Sequence, residues 1–165
     1  MTKRAFIFVI LIVMLMAGCS KQEDSITFKG QEGDWKINIP KSFQKVNEER
    51  IEEQNLLITN FKEENGRSLS IGEMLDTDME VSEAALLEEL EEDHYLHIQR
   101  TETIDIKEGK IYGALIEDEA TTQNLLYYKF KKDDKIITFV IYQSRNFTLE
   151  EEAQIKAMLS TLKVL

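Results

Sequence analysis

Lys135-Ile136-Ile137-Thr138-Phe139-Val140-Ile141-Tyr142-Gln143 carries apolar side chains on both faces of an extended backbone. Side chains of a strand point alternately to its two faces, so a half-buried strand alternates apolar and polar residues. This stretch does not alternate. Such a strand sits in the interior of a sheet, with a layer on each side of it. Upstream, Lys132-Asp133-Asp134 is a polar turn preceded by a second apolar run, Leu125 to Lys131. The pair predicts a long hairpin. Downstream, Thr148 is followed three residues later by Glu151. That spacing is a capping box, in which each side chain satisfies the other residue's backbone N–H at a helix start. Ile155, Met158, Leu159 and Leu162 then fall at helical spacing. Their stripe reads as core packing.

The same reasoning runs back toward the N-terminus. Asp34-Trp35-Lys36-Ile37-Asn38-Ile39 places Trp35, Ile37 and Ile39 on one face of a strand that Pro40 ends. Leu56 to Lys62 and Ser68 to Met74 flank Glu63-Glu64-Asn65-Gly66-Arg67, whose Asn-Gly is a turn signal. Ser82 caps a helix with apolar positions Ala85, Leu86, Leu87 and Leu90, ending near Asp93. Tyr95 to Ile106 returns to strand composition and turns at Lys107-Glu108-Gly109-Lys110 into Ile111 to Glu117. Two helices and about seven mostly antiparallel strands follow. The expected fold class is α+β, an antiparallel β-sheet flanked by helices.

The segment Asp34-Trp35-Lys36-Ile37-Asn38-Ile39-Pro40-Lys41-Ser42-Phe43, with the closing hairpin and the helix Ile155 to Lys163, resembles the PsbP-like superfamily. The likeness spans Gly33 to Lys163. It implies an α/β/α sandwich around an antiparallel sheet. It also implies an accessory or assembly role at a membrane-bound complex, and it carries no shared site residue.

Lys3 and Arg4 precede an unbroken apolar run of thirteen residues, Ala5 to Ala17. A membrane-spanning helix needs about 20 such residues, whereas a secretory signal core is shorter. The run ends Leu15-Met16-Ala17-Gly18-Cys19-Ser20, and Cys19 is the one cysteine of the chain. This resembles the lipobox of bacterial lipoprotein precursors. The resemblance implies cleavage before Cys19 and a diacylglycerol joined to its sulfur. Residues 1–18 then form a lipoprotein signal peptide, 19–25 a short polar tether, and 26–165 a single α+β domain. Two acyl chains hold a protein stably on a bilayer, since each buried methylene contributes about 0.8 kcal/mol.

With 20 basic and 31 acidic side chains the net charge is −11. That argues against a nucleic-acid partner, which selects a basic footprint. Four clusters could carry chemistry. His94 and His97 could chelate a metal only if one helix carried both; a strand at His97 separates them. Glu88-Glu89-Leu90-Glu91-Glu92-Asp93 loads a helix C-terminus with carboxylates against its dipole, which reads as a solvated face or a cation site. Asp76-Thr77-Asp78-Met79-Glu80 begins like a calcium loop but has Val81 and Leu87 where that loop needs glycine and glutamate. Tyr112, Tyr127, Tyr128 and Tyr142 read as cross-strand packing or as the lining of a ligand groove. No Gly-x-Ser-x-Gly elbow, phosphate loop or dinucleotide fingerprint is present in the sequence.

No catalytic residue, metal ligand or cofactor is assigned; the site residue is Cys19, for lipid attachment. The expected protein is a non-enzymatic lipoprotein on the extracytoplasmic face of the cell membrane, held through diacylglycerol on Cys19 and bound to an unknown envelope protein. A solute- or cation-binding lipoprotein and a hydrolase using unrecognised carboxylates are the alternatives. Cys19→Ser is expected to give an uncleaved precursor that takes up no lipid. Metabolic labelling with a palmitate analogue checks this, and equal incorporation by mutant and wild type would refute the assignment.

Overall fold

The computed structural model describes residues 24–165 apart from 32 and 76; the segment 1–18, Cys19 and Asp76 lie outside the described residues. A first hairpin joins β1 (Ser25–Lys29) to β2 (Trp35–Pro40). A meander follows, made of β3 (Gln44–Ile51), β4 (Leu56–Lys62) and β5 (Ser68–Met74), with a 3-10 turn at Glu52–Gln54. Helix α1 (Glu83–Glu91) leads into β6 (Leu96–Ile106), β7 (Gly109–Asp118), β8 (Gln123–Lys132) and β9 (Lys135–Gln143). Helix α2 (Leu149–Leu159) and the short β10 (Lys163–Val164) complete the order. The large sheet runs β3-β4-β5-β9-β8-β7-β6 and a small one runs β1-β2-β10. Each pairing is antiparallel.

β9 is therefore the middle strand of seven, as its apolar pattern demands. Its inner residues Ile137, Phe139 and Ile141 are buried with Leu69 and Ile71 of β5 and with Tyr128 and Phe130 of β8. They meet Trp35, Ile37 and Ile39 of β2 and Ile155, Met158 and Leu159 of α2 in one core. The small sheet and α2 divide this face between them. Phe28 packs edge-on against Phe61 of β4, and Trp35 against Phe139. Glu152 of α2 pairs with Arg100, and Lys156 with Glu102 at 2.5 Å, both partners lying on β6. The Tyr128 hydroxyl also donates to Glu102 at 2.5 Å.

Both helix starts follow their sequence signals. The Ala85 N–H donates to Ser82 Oγ at 3.2 Å, and the Glu151 N–H to Thr148 Oγ1 at 3.2 Å. The Thr148 N–H donates to Glu151 Oε2 at 2.9 Å and closes the box. Two bonds from Arg145, at 2.8 and 2.5 Å, hold the Glu151 carboxyl down at about 2.

The fold departs from the expectation in three strands and one face. β1 begins at Ser25, the last residue of the segment read as a tether. β3 is solvent-exposed along nearly its whole length, so no apolar alternation marks it. It is an edge strand carrying Lys45, Glu48, Glu49 and Arg50, with a register shift between Lys45 and Asn47. β10 has only two residues. With β1 and β10 paired to β2, the inner layer is part sheet and part helix, and the molecule is sheet-dominated. On the outer face, Leu86 and Leu90 of α1 bury Ala114 and Ile116 of β7. The coverage reaches Leu125 and Tyr127 of β8 and stops there, leaving Thr138 and Val140 of β9 half-exposed.

Leu159 is fully buried where α2 meets the core. Leu159→Ala is expected to cost about 2–5 kcal/mol through the cavity left behind. Urea denaturation reads this as a lower midpoint at unchanged slope; an unchanged midpoint would contradict the packing.

Candidate functional site

Directly opposed residues of antiparallel strands share a face. The registers therefore lay three rows across the outer face of the large sheet. The middle row runs Glu49, Ile58, Gly72, Thr138, Lys129. Beside it lie Ile51, Leu56, Met74, Ile136, Lys131 on one flank and Asn47, Asn60, Ser70, Val140, Tyr127 on the other. Leu56 and Ile58 of β4, Ser70, Gly72 and Met74 of β5, Ile136, Thr138 and Val140 of β9, and Tyr127 and Lys129 of β8 floor an open trough of about 220 Å³, lined mainly by apolar atoms and bounded by Glu89 of α1 and by Met79.

Gly72 lies in the middle row of the floor. A Cβ there would sit 3.5 Å from Leu56 and 3.7 Å from Thr138, ordinary contact distances. Neither steric crowding nor backbone strain demands glycine, and its effect is to leave the floor without a side chain. One wall is built from charge. Lys129, almost fully buried, pairs with Glu89, and the Tyr127 hydroxyl donates to the same carboxylate at 2.8 Å. Burial and the Glu89 charge push the Tyr127 phenol above its ordinary value, so it remains a neutral donor. At the end of the trough, Lys131 Nζ donates to the Met79 carbonyl at 2.5 Å and the Thr77 N–H to the Asp134 carbonyl at 2.9 Å. These bonds pin the loop that leads into α1.

A second polar cluster lies on the opposite face, at the end of the core. Glu73 follows Leu69 and Ile71 along the inner side of β5 and is almost completely buried. Its carboxylate accepts the Trp35 indole N–H at 2.9 Å and the Gln31 backbone N–H at 3.2 and 3.3 Å. Lys135, pairing with Asp34 at 2.6 Å, stands nearby. Burial raises the Glu73 pKa above the ordinary carboxylate value, and the Asp34 charge adds to this; the two N–H donors and Lys135 offset the rise only in part.

The sequence-derived candidates are dispersed. His94 lies in the turn after α1, stacked against Tyr95, whereas His97 is on β6, 3.1 Å from Glu119. Among the described residues no group of three or more His, Cys, Asp or Glu side chains is placed to hold a metal ion. Of the acidic helix end, Glu89 turns to Lys129 and Tyr127, and Asp93 accepts the Tyr95 N–H at 3.0 Å. The tyrosines divide. Tyr128 is core, Tyr112 packs beneath α1, Tyr142 lies half-buried on the outer face, and Tyr127 lines the trough. Sequence reasoning missed Gly72, Lys129 and Glu89 as one site. Pairing register brings Gly72 and Lys129 together, and register is a property of the folded sheet.

Ser70 Oγ donates to the Asn60 side-chain oxygen at 2.5 Å, an amide and not a base, and Glu89 is occupied by Lys129. The Tyr127 hydroxyl donates to that same carboxylate, and burial keeps the phenol protonated.

An antiparallel sheet backed by a smaller sheet and a helix, with one helix on its outer face, defines a PsbP-like fold. The chain is similar to the solution structure of a cyanobacterial PsbP, CyanoP, from Synechocystis, at 10% identity over 90% of this chain and 96% of that one, with a TM-score of 0.59. It is also similar to the crystal structure of the Ran-binding protein Mog1p from Saccharomyces cerevisiae, at 11% identity, 87% and 96% coverage and a TM-score of 0.53. A Mog1 variant matches equally well, at 12% identity, 86% and 96% coverage and a TM-score of 0.53. These likenesses establish the fold. No protein-family model matches the chain, and no curated sequence matches it.

A carboxyl whose folded pKa is raised favours the protonated native state, so its contribution is best below the unfolded value of about 4.5 and is lost as pH rises through the folded value. Glu73→Gln removes that titration while keeping an oxygen to accept the Trp35 indole. Its stability relative to wild type is therefore expected to move in the variant's favour between pH 4.5 and pH 7. Chemical denaturation across that range measures it; a difference that stays flat or moves the other way would contradict the assignment.

Proposed function

We propose that this chain is a non-enzymatic binding module, tethered to the extracytoplasmic face of the cell membrane by lipid on Cys19 and serving as an accessory factor of an envelope protein complex. The observation that carries the reading is the open apolar trough. Neighbouring polar groups are paired, as in Lys129 with Glu89 and Lys131 with the Met79 carbonyl, yet the floor between β4 and β8 has no layer of the described chain over it. A contiguous exposed apolar patch rimmed by polar residues marks an interaction surface.

The anchor rests on the lipobox resemblance at Leu15 to Cys19. Among the described residues no helix is long and apolar enough to cross a membrane. The PsbP-like fold supports an accessory role only through the character of that superfamily. The Ran-binding described for Mog1p is a property of that protein, and nothing in the trough selects it here.

The test is photo-crosslinking on intact cells, with the photoreactive residue at Thr138 in the trough or at Lys110, exposed at the start of β7. The expected result is a discrete adduct with a membrane-associated protein from Thr138 and none from Lys110, the chain itself fractionating with membranes. Recovery of the chain in the cytosol, or equal adducts from both positions, would overturn the reading.

A further inference from the structure

We infer that the trough receives a basic amphipathic α-helix of the partner protein, lying beside α1 across the sheet. This deepens the binding-module reading and rests on it. Width, internal precedent and charge each point to that occupant.

Neighbouring strands lie about 4.8 Å apart, so the floor from Ile58 on β4 to Lys129 on β8 spans three spacings, about 14 Å. One α-helix with its side chains is about 10–12 Å across. An extended segment laid on the face of a sheet would leave its backbone N–H and C=O groups unpaired over an apolar floor. A helix satisfies its own. The other half of the same face shows the arrangement already built: α1 places Leu86 and Leu90, one turn apart, on the small Ala114 of β7 and on Ile116. Gly72 carries no side chain where β7 offers α1 Ala114, and a Cβ added there would make only ordinary contacts.

Both banks are acidic. Glu49 stands at the β3 end of the middle row, and Glu52 and Glu53 follow it, all exposed. On the opposite bank, α1 exposes Glu88 and Glu91 beside Glu89, which is paired with Lys129. Of the nearest cations, Lys129 is paired with Glu89, and Lys131, bonded to the neutral Met79 carbonyl, keeps its charge at the end of the trough. Such banks complement lysine or arginine on the flanks of a helix and repel like charge. They oppose an anionic bilayer, and they oppose a second copy of a chain whose net charge is −11.

The test uses the full-length chain purified in non-ionic detergent. The probe is a fluorescein-labelled synthetic peptide of about 18 residues, with leucine at helical core spacing and lysine on both flanks. A twin peptide keeps the leucines and replaces lysine by glutamate. Anisotropy is expected to show saturable binding of the lysine peptide that weakens with salt, and roughly tenfold or weaker binding of the glutamate twin. Gly72→Leu, which puts a side chain on the floor there, is expected to weaken the lysine peptide by a similar factor. Glu49→Lys is expected to weaken it and flatten the salt dependence. Circular dichroism checks that Gly72→Leu folds; if it does not, Thr138→Lys supplies the same reading without touching β5. Equal binding of both peptides, binding indifferent to the trough variants, no binding, or trough-dependent dimerisation or association with phosphatidylglycerol vesicles would each overturn the inference. Palmitate labelling and fractionation report on the anchor independently, so the helix can fail while the tether stands, or the reverse.

Discussion

The hydrogen bond from the Trp35 indole to Glu73 is where the two sheets of this protein are fastened together. Trp35 begins β2 of the small sheet, and Glu73 lies near the end of β5 in the large one. The indole fills the space between them so completely that a Cβ on Gly30 would fall 2.1 Å from its nitrogen. Glycine at that turn is a steric requirement. A buried carboxylate is costly unless its lone pairs are used, and here two N–H donors from the small sheet and its turn offset that cost in part. Docking of the first hairpin thus both takes Glu73 out of water and supplies its N–H donors. The inner face of β9 completes its burial only when that event has occurred.

How much of this can be read from the residues depends on what each strand is pressed against. The boundaries at Leu56–Lys62, Ser68–Met74 and Lys135–Gln143 follow directly from apolar runs, because those strands bury their inner residues. Ser82 and Thr148 announce their helices through local bonds that need no tertiary partner. β3 leaves no such trace, since almost all of its residues meet water and it is held by ladder bonds to β4. β10 is a strand only because β2 is beside it. The trough belongs to the same illegible class. Glu49, Ile58, Gly72, Thr138 and Lys129 are scattered along the chain and become one row through four successive registers.

The acidity of the chain is also resolved by position. Carboxylates at the core boundary are each bonded: Glu73 by Trp35, Glu102 by Tyr128 and Lys156, Glu152 by Arg100, and Glu63 by Arg67 at 2.7 Å. These side chains fix orientations between layers. The surplus stands on β3, on the 3-10 turn and along α1, where solvent screens it and where it frames the uncovered half of the sheet. Net charge describes neither population. The buried acids act as fasteners, and the exposed ones give the outer face its electrostatic character.

The irregular, charged outermost strand at Gln44–Ile51 has a consequence for crowding. A straight, neutral border would let identical molecules add strand to strand and grow into cross-β ribbons. Here a docking copy would have to match the kink between Lys45 and Asn47 and bring its own Glu48 and Glu49 against the same carboxylates. Polymerisation along that border is therefore disfavoured even at high local density, and the hydrogen-bonded ladder stops at the limit of a single molecule.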